Sequence, residues 1–176
     1  MTQVGFYGRL RITRTDGDAI LCDEDVTRYG QVVFDEENLI VNYGLSAISR
    51  MIGGCAGSAT VGGQGVTDPH DLAVTSMVLG NDPSPTTPAN ADTTGVSMPT
   101  FSPNLFVTYP SAYRVKFSGM LPKTESVGET ITEEALYLKM QISGSPVVFA
   151  KKVFSQLKTS AYALQFDHLI TVARIA

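Results

Sequence analysis

Apolar and polar residues alternate most cleanly near the end of the chain. Leu136, Leu138, Met140 and Ile142 take one side, and Ala135, Tyr137, Lys139 and Gln141 the other. A period of two is the signature of a strand with one buried face. Ser143-Gly144-Ser145-Pro146 interrupts it with four turn formers. A second strand, rich in Val and Phe, spans 147–154. The alternation then resumes, with Tyr162, Leu164, Phe166, Ile170 and Val172 on one face. Three strands with short connections predict an antiparallel meander over 131–172, one face on a core and one wetter.

The earlier chain predicts further elements. Leu10 and Ile12 alternate with Arg9, Arg11 and Thr13 before Asp16-Gly17-Asp18, and Ile20 and Cys22 follow. Asp-Gly between alternating runs predicts a hairpin over 6–23. A short strand is expected over 26–33. Tyr43, Leu45, Ile48, Met51 and Ile52 recur at helical spacing, which predicts one α-helix within 38–54. Asn38 or Asn42 would cap it behind the acidic run Asp35-Glu36-Glu37, and Gly53-Gly54 would end it. Strands are also expected over 72–79 and 113–120. Six of the nine prolines fall between residues 81 and 110. Proline donates no backbone hydrogen bond, so this stretch is expected as a long Pro-rich loop, an extended arm. Its apolar residues Phe101, Leu105, Phe106 and Tyr109 point to docking on a neighbouring protein as a protein interface. The fold class is therefore mainly β: one domain over 1–176, an antiparallel β-sandwich or barrel, jelly-roll-like, with one α-helix.

Composition narrows the function classes. The chain has 176 residues and is 17% charged, below the usual quarter, which suits a surface packed against other subunits. A net charge of −4 argues against nucleic-acid binding. No apolar run is long enough to span a membrane, and the N-terminal residues have no signal-peptide core. Cys22 and Cys55 are expected as reduced, buried thiols.

Candidate chemistry is sparse. Asp16 and Asp18, with Asp23, Glu24 and Asp25 nearby, lack the remaining ligands of a calcium loop, so solvated turn residues are expected. The six glycines within 53–65 follow a helix and no Gly-Lys-Ser/Thr closes them, so a flexible connector is expected and not a phosphate loop. His70, in Asp68-Pro69-His70-Asp71, is a weak metal candidate. His168 sits on an apolar strand face, which predicts a core or interface histidine. Glu133 and Glu134 are neighbours that would diverge in a strand, which counts against a paired-carboxylate site. No catalytic, cofactor-binding or metal-binding set is expected, and no cofactor.

Three segments carry a resemblance. They are Asn38-Leu39-Ile40-Val41-Asn42-Tyr43-Gly44 before the helix; Met77-Val78-Leu79-Gly80-Asn81-Asp82 before a Pro/Thr-rich stretch ending Ala91-Asp92-Thr93-Thr94; and Glu134-Ala135-Leu136-Tyr137, then Val148-Phe149-Ala150-Lys151, Lys158 and the strand over 164–172. Together they resemble small β-rich virion structural proteins of tailed bacteriophages, of the tail-fibre, baseplate or head-decoration type. Such proteins often carry a Leu-Gly-x-Gly turn and a Glu-Ala-Gly-Leu-Phe strand start. Here Asn81-Asp82 follows Gly80, and the second motif lacks its glycine. The resemblance spans about half the chain. It implies a non-enzymatic virion subunit, assembled in the host cytoplasm. Its partners would be other virion proteins and copies of itself, with no nucleic acid and no membrane. The tail, baseplate or fibre-attachment apparatus is the first expectation, and a head decoration (cement) protein on the capsid surface the alternative. A carbohydrate- or receptor-binding module is a second alternative, for which Tyr7, Tyr29 and Tyr137 would supply an aromatic platform.

Overall fold

The computed structural model describes residues 3–40, 44–48, 60–61, 64–66, 68–85, 95–142 and 145–175. It is mainly β, with two antiparallel sheets packed face to face in a sandwich-like arrangement. One sheet holds β1 (Gln3–Thr15), β11 (Ala163–Ile175), β8 (Arg114–Leu121) and the edge strand β7 (Phe106–Ser111). The other holds β10 (Ser145–Leu157), β9 (Thr130–Ile142), β5 (Val74–Gly80) and the edge strand β6 (Pro99–Phe101). Strand β2 (Gly30–Ile40) belongs to both. Most of it pairs with β1, and its last two residues, Leu39 and Ile40, pair with Lys151 and Ala150 of β10. A separate hairpin, β3 (Thr60–Val61) with β4 (Gln64–Gly65), lies within the glycine-rich stretch.

The alternation sorts the core correctly. Leu136, Leu138 and Met140 of β9 meet Leu10 and Ile12 of β1 and Leu164, Phe166 and Ile170 of β11 in one buried cluster. Phe154 bridges Phe34 and Phe166 at ring separations of 5.6 and 6.0 Å. The opposite face of β9 is also covered, with Ala135 and Tyr137 packed on Val96 and Val148. That second layer explains why β9 is buried from Ile131 to Leu138.

Several expected elements are placed differently. The 131–172 meander holds only for its first pair, β9 with β10. Strand β11 crosses to the other sheet, between β1 and β8, because β2 occupies the free edge of β10. The 6–23 hairpin does not form. Bends at 16–19 lead into a short helix, α1 (Asp23–Tyr29), with Asp23, Glu24 and Asp25 in its first turn. The Gln165 side chain stands in for the missing strand: its Oε1 accepts from Leu21 N at 2.7 Å and its Nε2 donates to Leu21 O at 3.0 Å. Residues 26–29, expected in a strand, are therefore helical.

The helix expected over 38–54 is also corrected. Residues 38–40 finish β2 and the acidic run lies within that strand, where Asp35 faces Arg11 of β1. Residues 44–48 are helical. Residues 41–43 and 49–54, with the expected caps Asn42 and Gly53-Gly54, lie outside the described residues, as do Cys55 and the stretch 86–94. Leu72 ends a 3-10 turn (Pro69–Leu72), and β5 begins at Val74.

The described part of the 81–110 arm is not a single loop. It contains β6 and β7, the two outermost strands, with Pro99 in one and Pro110 in the other. A proline is tolerated there because an edge strand leaves one side of its ladder unpaired. Pro103 between them is buried. A Cβ placed on Gly119 would lie 2.6 Å from its Cγ and 2.8 Å from Met77 Sδ. The arm therefore fills part of the protein's own core.

Candidate functional site

The site is built on the outer face of β8. Lys116, Ser118 and Met120 alternate with the core residues Phe117 and Leu121, so they face outwards. Residues 18–23 pass over one side of them, and β7 lies along the other. Between the two runs a cleft of about 830 Å³, with Ile20, Leu21, Phe101, Phe106 and Tyr109 among its walls.

Its floor is polar and satisfied. Ser118 Oγ donates to Asp167 Oδ1 at 2.6 Å, and Gln165 Nε2 donates to Asp167 Oδ2 at 2.8 Å. Lys116 Nζ donates to Asp23 Oδ1 at 2.8 Å. Burial pushes the Asp167 carboxyl above its ordinary range, against the hydrogen bond from Ser118 and the Lys116 charge. Ser118 is only 1% exposed and its hydroxyl already serves Asp167. His168 is the next residue but points into the sandwich, as alternation requires. The arrangement sets apolar walls over a fixed polar floor, in which the Ser118 hydroxyl is engaged by Asp167.

Of the four residues expected at an interface, the structure brings three to this cleft: Phe101, Phe106 and Tyr109. Phe101 is also partly buried against the core, as is Leu105, which does not line the cleft. Phe106 is 54% exposed and Tyr109 77%, with Tyr113 at 69% on the same hairpin. The floor residues Lys116 and Ser118, and Gln165 and Asp167 bonded beneath them, were not singled out from the sequence. Their only signal was the polar side of two alternating strands, which reads equally well as a wetted face.

The remaining candidates fall elsewhere. His70 is exposed and bonded to Asp68 at 2.9 Å, and its backbone N–H helps to hold the Asp68 carboxyl below its ordinary range. Asp18 accepts from Lys123 N at 3.1 Å. Cys22, expected to be buried, is exposed with its Sγ 2.9 Å from Asp25 Oδ2, because the segment that carries it lies on the surface instead of in a strand. Among the described residues no three His, Cys, Asp or Glu side chains converge as a metal site, and no helix is long and apolar enough to cross a membrane. Tyr7 and Tyr29 are exposed, whereas Tyr137 is 6% exposed with its hydroxyl accepting from Val96 N at 2.6 Å.

No family model, curated protein or solved structure matches the chain.

Two buried charge sites lie on β9. Glu134 faces inwards, where His168 Nδ1 lies 3.1 Å from its Oε2 and Asn38 Nδ2 lies 2.8 Å from His168 Nε2. Glu133 faces outwards. Lys151 Nζ lies 2.7 Å from its Oε2, a charge contact without hydrogen-bond geometry. Residues 95–97 cover that pair: Ser97 N donates to Glu133 Oε1 at 2.8 Å, and Lys151 Nζ to Gly95 O at 3.2 Å. The neighbours diverge as expected, and each finds its own cation or histidine.

Proposed function

We propose that the protein is a non-enzymatic structural subunit of a tailed-bacteriophage virion, in the tail, baseplate or fibre-attachment apparatus. It assembles with copies of itself and with other virion proteins through β7 and the adjoining cleft. The observation that carries this reading is β7 itself. All six of its residues are exposed at a sheet edge, and Phe106, Val107 and Tyr109 are among them. A bare apolar edge on a folded domain marks a contact surface. The opposite edge, β6, is only three residues long.

Pro110 and the register shift between Thr108 and Ser111 interrupt the β7 edge. Such breaks prevent open-ended strand addition, so contact runs mainly through side chains. Covering them stabilises an assembly by roughly 25 cal/mol per Å² of apolar area. The resemblance of the Gly80-Asn81-Asp82, Glu134–Tyr137 and Lys158 segments to virion proteins supports the setting.

Light scattering at high concentration tests the reading. The wild type should exceed its 18.9 kDa monomer mass or incorporate into particles. The double variant Phe106→Ser/Tyr109→Ser should melt as the wild type does and lose that association. A wild type that stays monomeric and fails to incorporate would end the proposal.

A further inference from the structure

A second cleft, of about 730 Å³, opens at the end of the sandwich where β1 stops and β2 begins. It shares only Leu21 with the cleft beside β7. Arg14, Asp16, Arg28, Tyr29, Gln31 and Tyr162 line it. The Arg14 guanidinium carbon lies 4.6 Å from the centre of the Tyr162 ring, whose hydroxyl donates to Leu157 O at 2.7 Å. The ring is thus fixed, and the arginine sits over its face.

Arg14 Nε is buried without a hydrogen-bond partner among the described residues. Arg14 as a whole is half-buried, and its one buried donor, left unmet, costs energy that an acceptor would recover. Arg28, in the last turn of α1, is exposed beside it, and neither arginine forms an ion pair among the described residues. Tyr29 presents a ring that is 67% exposed. Two arginines against one aspartate make the cleft locally cationic on a chain of net charge −4.

We propose that this cleft binds an acidic sugar, a pyranose bearing a carboxylate. The planar guanidinium fork matches a carboxylate and holds it with charge-assisted hydrogen bonds. The Tyr29 ring offers an apolar face to the C–H side of a pyranose, while Asp16 and Gln31 can take its hydroxyls. The volume suits a ligand of one or two sugar units. An acidic peptide would satisfy the arginines but would not need the exposed ring, which favours the sugar.

Methyl glucuronide, methyl glucoside, inorganic phosphate and a short acidic peptide are titrated into the isotope-labelled full chain, following backbone amides by NMR. The glucuronide should give saturable shifts at residues 14–17 and 28–31. The glucoside should bind weaker by on the order of tenfold, as should glucuronide to Arg28→Gln, since each loses a charge-assisted bond. Tyr29→Ala should weaken the glucuronide and leave phosphate unaffected. Both substituted residues are exposed, and a thermal melt equal to the wild type confirms that the variants fold. Three results would overturn the proposal: no saturable shift, wild-type affinity in both variants, or phosphate or peptide binding as tightly as glucuronide.

Discussion

Glu133 and Glu134 are adjacent on one strand, equally buried, and held in different ways. Glu134 meets His168 from the opposite sheet, and Asn38 from the strand that joins the sheets bonds that histidine in turn, so the chain of contacts ties the two layers together. Glu133 meets Lys151 from the neighbouring strand of the same sheet. That pair would lie at the surface if residues 95–97 did not cover it. The inner site is closed by the sandwich itself, and the outer one by a connecting segment. A buried charge is thus evidence of what covers it, because an uncovered pair would need no such precise partners.

The largest expected effect follows from that cover. Replacing residues 82–103 with a short Gly/Ser linker removes Val96, the Gly95 and Ser97 contacts, strand β6 and the buried Pro103. The isolated variant should lose its cooperative thermal transition. A variant that melts like the wild type would show that the outer site needs no cover.

Next is Lys151→Met, which strands the Glu133 carboxylate in the interior. Removing one member of a buried pair costs roughly 3–5 kcal/mol, and replacing both with apolar residues recovers much of it. Denaturant midpoints should therefore fall sharply in the single variant and return in Lys151→Met/Glu133→Leu. If the double variant is no better than the single, the pair is not held by mutual compensation.

Leu138→Ala probes the inner layer without touching charge. Leu138 is 3% exposed in the main core, and such truncations cost about 2–5 kcal/mol. A loss below half a kcal/mol by denaturant titration would displace β9 from the register described.

The smallest effect concerns a third buried carboxyl, Asp167. Its pKa in the folded state is raised above the ordinary 3.8, so folding takes up a proton between 3.8 and the raised value. Stability contributed by this group therefore increases as pH falls through that window and declines as pH rises through it. Asp167→Asn should remove that slope from a series of melts. An unchanged slope would assign it to another group.

The strands themselves were legible because a period of two needs no knowledge of the partner. Leu136, Leu138 and Met140 had to share a side, and so did Leu164, Phe166 and Ile170, wherever their strands went. Glu133 and Glu134 had to diverge for the same reason. Strand pairing was a different matter. Alternation gives a strand an inner face but does not say which edge meets which, so β10 and β11 read as partners although β2 and β1 lie between them. Asp-Gly favours a turn and so points to a hairpin over 6–23, while only the folded sheet supplies the Gln165 amide that binds Leu21 instead. The prolines of the arm ruled out central strands and left edge strands open, a choice made by the vacant sides of β5 and β8. Phe101, Phe106 and Tyr109 stood out by being apolar in such a segment. Their cleft did not, since its floor on β8 is held by β11, about 50 residues apart in sequence (118 against 167), and long-range pairing alone brings these together.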